Sequence, residues 1–236
     1  MKQNQTLILA NGETISYLLE HRARRTIGLK ITETGLVVHA PKRIFAYQLS
    51  QILQEKSGWI LTKLKSREAN LVEKIQWLDG EQLLFLGQDI TLKVIESSKR
   101  FIHFERNELT VHAPAGNIQA SCRASVLCWY KKQATLDLNR RLEVFAAKLG
   151  VNSPPLSLSN ANSRWGSCNS RGQVRLSWRL LQAPPHIINY VICHELAHLK
   201  QMNHSAQFWA VVENLFPNYK IAEKELKILS PQLHRM

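Results

Sequence analysis

Apolar and polar residues alternate in two short stretches of the first half of the chain, Ile27 to Ile31 and Phe101 to Phe104. Each leads through a polar turn into a second run. Thr32-Glu33-Thr34-Gly35 leads into Leu36-Val37-Val38-His39-Ala40-Pro41, and Glu105-Arg106-Asn107-Glu108 into Leu109-Thr110-Val111-His112-Ala113-Pro114. A period of two on both sides of a short turn predicts a β-hairpin. After each Ala-Pro the period lengthens to three and four. Leu49, Ile52, Leu53, Trp59, Ile60 and Leu64 predict a helix over Ala46 to Leu71. Val126, Leu127, Trp129, Tyr130, Leu136, Leu142 and Phe145 predict another over Gln119 to Leu149. The unit is hairpin then helix, used twice. Two such hairpins can pair into one twisted antiparallel sheet with helices on one face, which sets the expected class as α+β. His39 and His112 fill matching places in the two copies and are read as structural.

The pattern changes after Pro154-Pro155. Leu156-Ser157-Leu158-Ser159 predicts a short strand, and Asn160 to Ser163 a turn. Arg164-Trp165-Gly166-Ser167-Cys168 begins another strand, Asn169-Ser170-Arg171-Gly172 is a hairpin turn, and Gln173 to Trp178 alternates again. Pro184-Pro185 opens a helix predicted over His186 to Gln201. Ser205 caps a further helix whose apolar face carries Phe208, Trp209, Val212, Leu215 and Phe216. The expected division is a β-rich hairpin and helix region over 1–118 and a second region over 119–236, in one continuous compact protein.

The helix over His186 to Gln201 carries His194-Glu195-Leu196-Ala197-His198, an H-E-x-x-H segment. Histidines four apart share one helix face, so their imidazoles can reach a single ion. Zn²⁺ takes neutral imidazole well and, in catalytic sites, three protein ligands with one position open. Glu195 stands beside the first ligand, where a carboxylate can take a proton from water. The third ligand is read as His204. On a continued helix it would lie roughly 9 Å beyond His198, too far to share an ion, so the chain must turn back after Lys200 or Gln201. Met202-Asn203 gives it that chance. Glu213 on the following helix is the rival ligand, or else an acceptor that orients a ligand histidine. The strand from Arg164 to Cys168 is the expected substrate wall, with Arg164, Trp165 and Ser167 as substrate-binding residues and Arg164 or a backbone N–H there as a stabiliser of developing negative charge.

Arg164-Trp165-Gly166-Ser167-Cys168, Tyr190 through Leu199, and Asn203-His204-Ser205 with Phe208-Trp209 together resemble the YgjP-like metallopeptidase family, which is related to the SprT-like and Spartan-type proteases. The resemblance implies a minimal zincin-like metallopeptidase core in the 119–236 region. It also implies one zinc per chain on the positions that are here His194, His198 and His204, with Glu195 catalytic. The spacing from His194 to His204 equals that of metzincins, but Gln201 stands where those carry glycine.

Charge widens the choice of substrate. Thirty-one Lys and Arg against 18 Asp and Glu leave the 236-residue chain at +13. That imbalance favours an anionic partner: nucleic acid, an acidic membrane surface or a phosphorylated substrate. The expected partners are a polypeptide or anionic substrate, and nucleic acid through the basic surface, with no membrane. The basic clusters are Arg22-Ala23-Arg24-Arg25, Lys63-Leu64-Lys65, Lys131-Lys132 and Arg140-Arg141. Spartan-type proteases act on DNA-bound proteins, which such clusters would suit. Two alternatives to a peptidase stay open: a metal-dependent nucleotide phosphoanhydride hydrolase, or a nucleic-acid-binding protein with a structural zinc. Four cysteines without C-x-x-C spacing, and no apolar run of signal-peptide or membrane-spanning length, set cytoplasm as the expected location.

Overall fold

The computed structural model describes residues 2–9, 12–32, 34–69 (main chain only from 66) and 73–236. Glu33 in the first turn and Leu71 at the end of the first expected helix lie outside these residues. The chain divides into two compact units, Met1–Leu71 and Val72–Met236.

The first unit holds strands β1 (Lys2–Ile8), β2 (Thr14–Arg22), β3 (Gly28–Thr32) and β4 (Gly35–Pro41). Their order in the sheet is β1-β2-β4-β3. The expected hairpin is β3 and β4, with Leu29 opposite Val38. A second hairpin, β1 and β2, precedes it, and β2 joins β4 in parallel with Leu19 opposite Val38. The expected helix forms as two pieces, α1 (Ala46–Glu55) and α2 (Ser57–Ala69). The break falls at Lys56, whose backbone leaves the helical region at φ −95° and ψ 4°. Ser57 and Gly58 come next, and neither favours a helix interior. Leu19, Val38, Leu53 and Ile60 form the buried core of this unit.

The second unit opens with the same plan. Strands β5 (Gln82–Phe85), β6 (Gln88–Glu96), β7 (Phe101–Glu105) and β8 (Glu108–Ala113) lie in the order β5-β6-β8-β7. Again the expected hairpin, β7 with β8, is joined in parallel to a strand from a preceding hairpin. The α+β class therefore holds, but the two hairpins do not share one antiparallel sheet: each seeds its own mixed sheet. Alternation predicts strands without naming their partners, and the parallel pairings of β2 with β4 and β6 with β8 join strands that no shared turn connects.

Helix α3 (Ile118–Leu149) roofs the second sheet. Asn117 caps its start by accepting from the Ala120 N–H at 3.3 Å. Gly150 ends it at φ 71°, a left-handed conformation that favours glycine. Beyond it come β9 (Leu156–Ser159), β10 (Gly166–Cys168) and β11 (Val174–Ser177), in the order β10-β11-β9. A 3₁₀ turn over Trp178–Gln182 leads to α4 (Pro185–Ala197), α5 (Ala206–Leu215) and α6 (Tyr219–Leu233). Leu92, Val111, Tyr130, Leu138, Ile188 and Leu196 belong to one buried cluster. The second sheet thus shares its core with α3 and α4, inside the unit Val72–Met236. Among the described residues, no helix is long and apolar enough to cross a membrane.

Candidate metal centre

Helix α4 ends at Ala197, four residues before its expected end. Tight backbone bonds come after it, from Leu199 N–H to Leu196 C=O at 2.9 Å and from Lys200 N–H to Ala197 C=O at 3.0 Å. They turn the chain at once, so His204 comes back beside the helix. Ser205 then caps α5, its hydroxyl accepting from the Phe208 N–H at 3.4 Å. This cap fixes the direction of α5 and sends Phe208 under the histidines. Phe208 is fully buried. Its ring centroid lies 4.9 Å from that of His194, 4.6 Å from His198 and 4.7 Å from His204.

The structure brings His194, His198 and His204 together, with one candidate ligand atom from each within 4.8 Å of the others. The Nε2 atoms of His194 and His204 face each other at 3.1 Å. His198 Nδ1 lies 3.2 Å from the Gln201 carbonyl. A carbonyl only accepts, so that Nδ1 carries the proton and Nε2 is left as the free lone pair. Burial, then His198 and His204, hold the His194 imidazole down to about 4. Burial also lowers His198. Burial therefore favours the neutral imidazole at His194 and His198, the form in which histidine binds a metal, and the His204 ring converges on the same point.

Glu195 is 5% exposed, and its Oε2 has no hydrogen-bond partner among the described residues. Burial pushes its carboxyl up to about 8, with the Arg164 cation acting in the opposite direction. A divalent cation among the imidazoles would favour the charged carboxylate, and the donor set fits zinc with a position to spare.

Strand β10 runs beside α4 and forms the edge of its three-stranded sheet. Gly166 is the tightest point. A Cβ there would meet Glu195 Cγ at 2.6 Å and Cδ at 2.7 Å, so the strand approaches the carboxylate only because residue 166 has no side chain. Arg164, Trp165, Gly166, Tyr190, His194 and Glu195 line a cavity of about 220 Å³. Trp165 is tied down: its Nε1–H donates to Ser230 Oγ at 3.1 Å, and its ring stacks on His234 at 4.5 Å. Ser167 is half-buried in β10, opposite Arg175. Glu213 is exposed on α5 and stands outside the cluster of converging ligand atoms.

Two residues of this neighbourhood are not identified by the sequence pattern. Alternation marks Gly166 only as part of a strand, although its place beside Arg164 and Trp165 is a usable signal. Glu223, on α6, places a carboxylate near His194 and Tyr190 and favours the charged imidazole of His194. Nothing in its sequence surroundings marks it, because α6 reaches α4 only through the tertiary fold. Elsewhere, Arg141 donates to Asp137 at 2.5 Å and to Asn189 Oδ1 at 2.7 Å, tying α3 to α4. That basic cluster therefore serves in part as structure.

The signature of the YgjP-like metallopeptidase domain matches residues 25–228. The UTP pyrophosphatase of Escherichia coli (strain K12) is 28% identical over 88 residues, which cover 36% of this chain and 53% of that protein. The chain therefore spans about half the length of that curated relative. Among solved structures, the metallopeptidase zymogen of Pyrococcus abyssi abylysin is 27% identical, with a TM-score of 0.37 over 39% of this chain and 92% of the other. The metallopeptidase zymogen of Methanocaldococcus jannaschii jannalysin is 23% identical, with a TM-score of 0.35 over 40% of this chain and 96% of the other.

Proposed function

The chain belongs to the YgjP-like metallopeptidase family, and from that premise we propose that it hydrolyses peptide bonds, with one zinc ion held by His194, His198 and His204 and with Glu195 as general base. One observation carries the reading: a buried carboxyl with an unpartnered oxygen sits beside three converging imidazoles. When bound, the ion supplies a Lewis acid for the scissile carbonyl and lowers the pKa of water at its open position.

The chain's own residues do the rest. The Gln201 carbonyl holds the His198 ring in one tautomer. Phe208 keeps water from the underside of the three rings. Glu195 receives the proton of the attacking water on Oε2 and returns it to the leaving amine. Its burial raises its basicity, which suits a group that must take a proton and then give it up. The free edge of β10 offers backbone groups to an extended substrate. Trp165, fixed by Ser230 and His234, supplies a rigid wall. Arg164 brings a cation to the same cavity, where it can meet the oxyanion.

The test is Glu195→Gln in zinc-loaded protein. The variant should keep its zinc and lose roughly 10²- to 10⁴-fold in kcat on a peptide substrate. An unchanged kcat rejects Glu195 as the base. A second reading, hydrolysis of a nucleotide phosphoanhydride at the same ion, rests on the partial likeness to a UTP pyrophosphatase. Casein and UTP offered separately to the zinc-loaded protein distinguish the two. Pyrophosphate release without proteolysis would transfer the site to the second reading.

A further inference from the structure

A second concavity of the same unit, about 640 Å³ in volume, lies between β7 and α3 and is lined by residues outside the histidine cluster. Its strand wall is Arg100, Phe101 and Ile102. Its helix wall includes Cys128, Trp129 and Lys132. No acidic residue lines it. Neither Arg100 nor Lys132 forms an ion pair among the described residues, and both are exposed. Trp129 is mostly buried, packed against Phe85 and Phe104, and forms an apolar floor. Phe101 is 59% exposed, and its ring lies against His103 and His112 on the sheet face away from α3.

The strand wall is also an unfilled sheet edge, since β7 is last in the order β5-β6-β8-β7. Its register shows which backbone groups are free. Arg106 and Asn107 form a two-residue turn with φ of 49° and 62°, and Glu105 faces Glu108 across it. That geometry closes on a mutually hydrogen-bonded pair, and bonded and unbonded pairs alternate from there. Glu105, His103 and Phe101 therefore turn their N–H and C=O groups towards β8. Ile102 and Phe104 turn theirs outward. An edge with outward N–H and C=O groups, beside a helix at groove distance, is the geometry of strand addition.

We infer that this groove binds an extended, acidic polypeptide segment as a fifth strand on β7, with Arg100 and Lys132 meeting the carboxylates that point towards α3 and Phe101 meeting the apolar side chains on the opposite face of the sheet. Charge decides the occupant: two unpaired cations flank the groove and no carboxylate opposes them. A nucleic acid strand would use the cations but would leave the backbone groups of Ile102 and Phe104 unmatched. Binding is read without turnover, so it stands or falls apart from the peptidase reading.

The full chain is titrated against a fluorescein-labelled peptide of alternating Glu and Val, tracked by anisotropy. The same peptide with Lys for Glu, and a single-stranded oligonucleotide, run in parallel. Cys128, exposed on the groove wall, reports occupancy locally through its rate of modification by a thiol reagent, mapped by mass spectrometry. The acidic peptide should bind and slow modification of Cys128, and the basic peptide should do neither. Arg100→Glu combined with Lys132→Glu, two surface changes, should weaken the acidic peptide about tenfold or more. Ile102→Pro removes one outward N–H and should weaken it as well, with circular dichroism checking the fold. The proposal is overturned if the acidic peptide fails to bind, if it binds equally well to the double charge reversal, if it leaves Cys128 as reactive as before, or if only the oligonucleotide binds.

Discussion

The two four-stranded sheets share one plan, and the second belongs to the unit that holds the candidate site. Both run edge hairpin, parallel pairing, second hairpin, and both end in Ala-Pro before a helix. They differ in that helix. In the first unit it breaks at Lys56, and its two pieces cover their own sheet. In the second, α3 runs unbroken for 32 residues and touches β8, the 3₁₀ turn, β9, α4 and α5. It joins the repeated sheet to the helix that bears the histidines. The sheet is a generic platform, and the continuity of one helix turns that platform into a support for chemistry. The polar groups differ as well. Glu20 in β2 faces His39 across the parallel ladder, whereas Ile95 of β6 faces His112.

The largest difference between the two units is expected from matched core deletions. Leu53 of α1 and Leu138 of α3 are both fully buried, each in its own unit's core. Truncation of either to alanine should cost about 2–5 kcal/mol in the unit that holds it. Leu138→Ala should lower the denaturation midpoint for zinc release and activity together. Leu53→Ala should lower a transition that leaves zinc binding and peptide hydrolysis in place. Equal loss of activity in the two variants would mean that the first unit supports the site after all. Denaturant titrations monitored by far-UV circular dichroism, zinc retention and peptide cleavage make the comparison.

The same contrast marks what the sequence could reveal. Both hairpins stood out because alternation and turn are local, and so did the length of α3. The strands β2 and β6 did not, although Ile90, Leu92 and Val94 alternate and Leu86-Gly87 makes a two-residue turn before β6; their parallel partners β4 and β8 are far along the chain and no local pattern names them. Within the site, the four-residue spacing of His194 and His198 was legible as a shared helix face. The return of His204 was legible from the need to turn, although the helix ends at Ala197, earlier than its apolar pattern suggested. What Gly166 does for Glu195 was not legible, since a contact between a strand and a helix 29 positions later depends on the packed fold. Glu223 was hidden for the same reason.

Gly166 gives the next largest expected effect. Gly166→Ala places a methyl 2.6 Å from Glu195 Cγ, so either the carboxylate or the edge of β10 must shift. A displacement of about 1 Å at a reacting group lowers turnover about a hundredfold. The loss should fall on kcat, with zinc content unchanged, because the three histidines are untouched. Full activity with bound zinc would show that the carboxylate has slack, and β10 would then be a wall without a positioning role. Steady-state peptide cleavage alongside metal analysis measures both. No counterpart exists in the first unit, where the repeated sheet meets no such helix among the described residues.

The smallest effect tests the polar difference between the sheets. Hydrogen bonds from Arg22 and Lys2 hold the Glu20 carboxyl well below its ordinary 4.5, at about 2. Arg22 Nη2 donates to it at 2.6 Å, and Lys2 Nζ lies 3.2 Å away. A carboxyl whose folded pKa is depressed contributes stability that is fully present above its unfolded pKa. That contribution is lost as pH falls from about 4.5 through about 2. The first unit should therefore weaken over that window, and Glu20→Gln should flatten its pH dependence there while leaving the second unit unchanged, since Ile95 has no proton to exchange. Lys2 and Arg22 are exposed although Glu20 is mostly covered, so the slope is small and falls further with added salt. Acid titrations of the two proteins at low and high ionic strength read it directly. A slope that survives Glu20→Gln would trace the acid sensitivity to other carboxyls and remove this distinction between the two sheets.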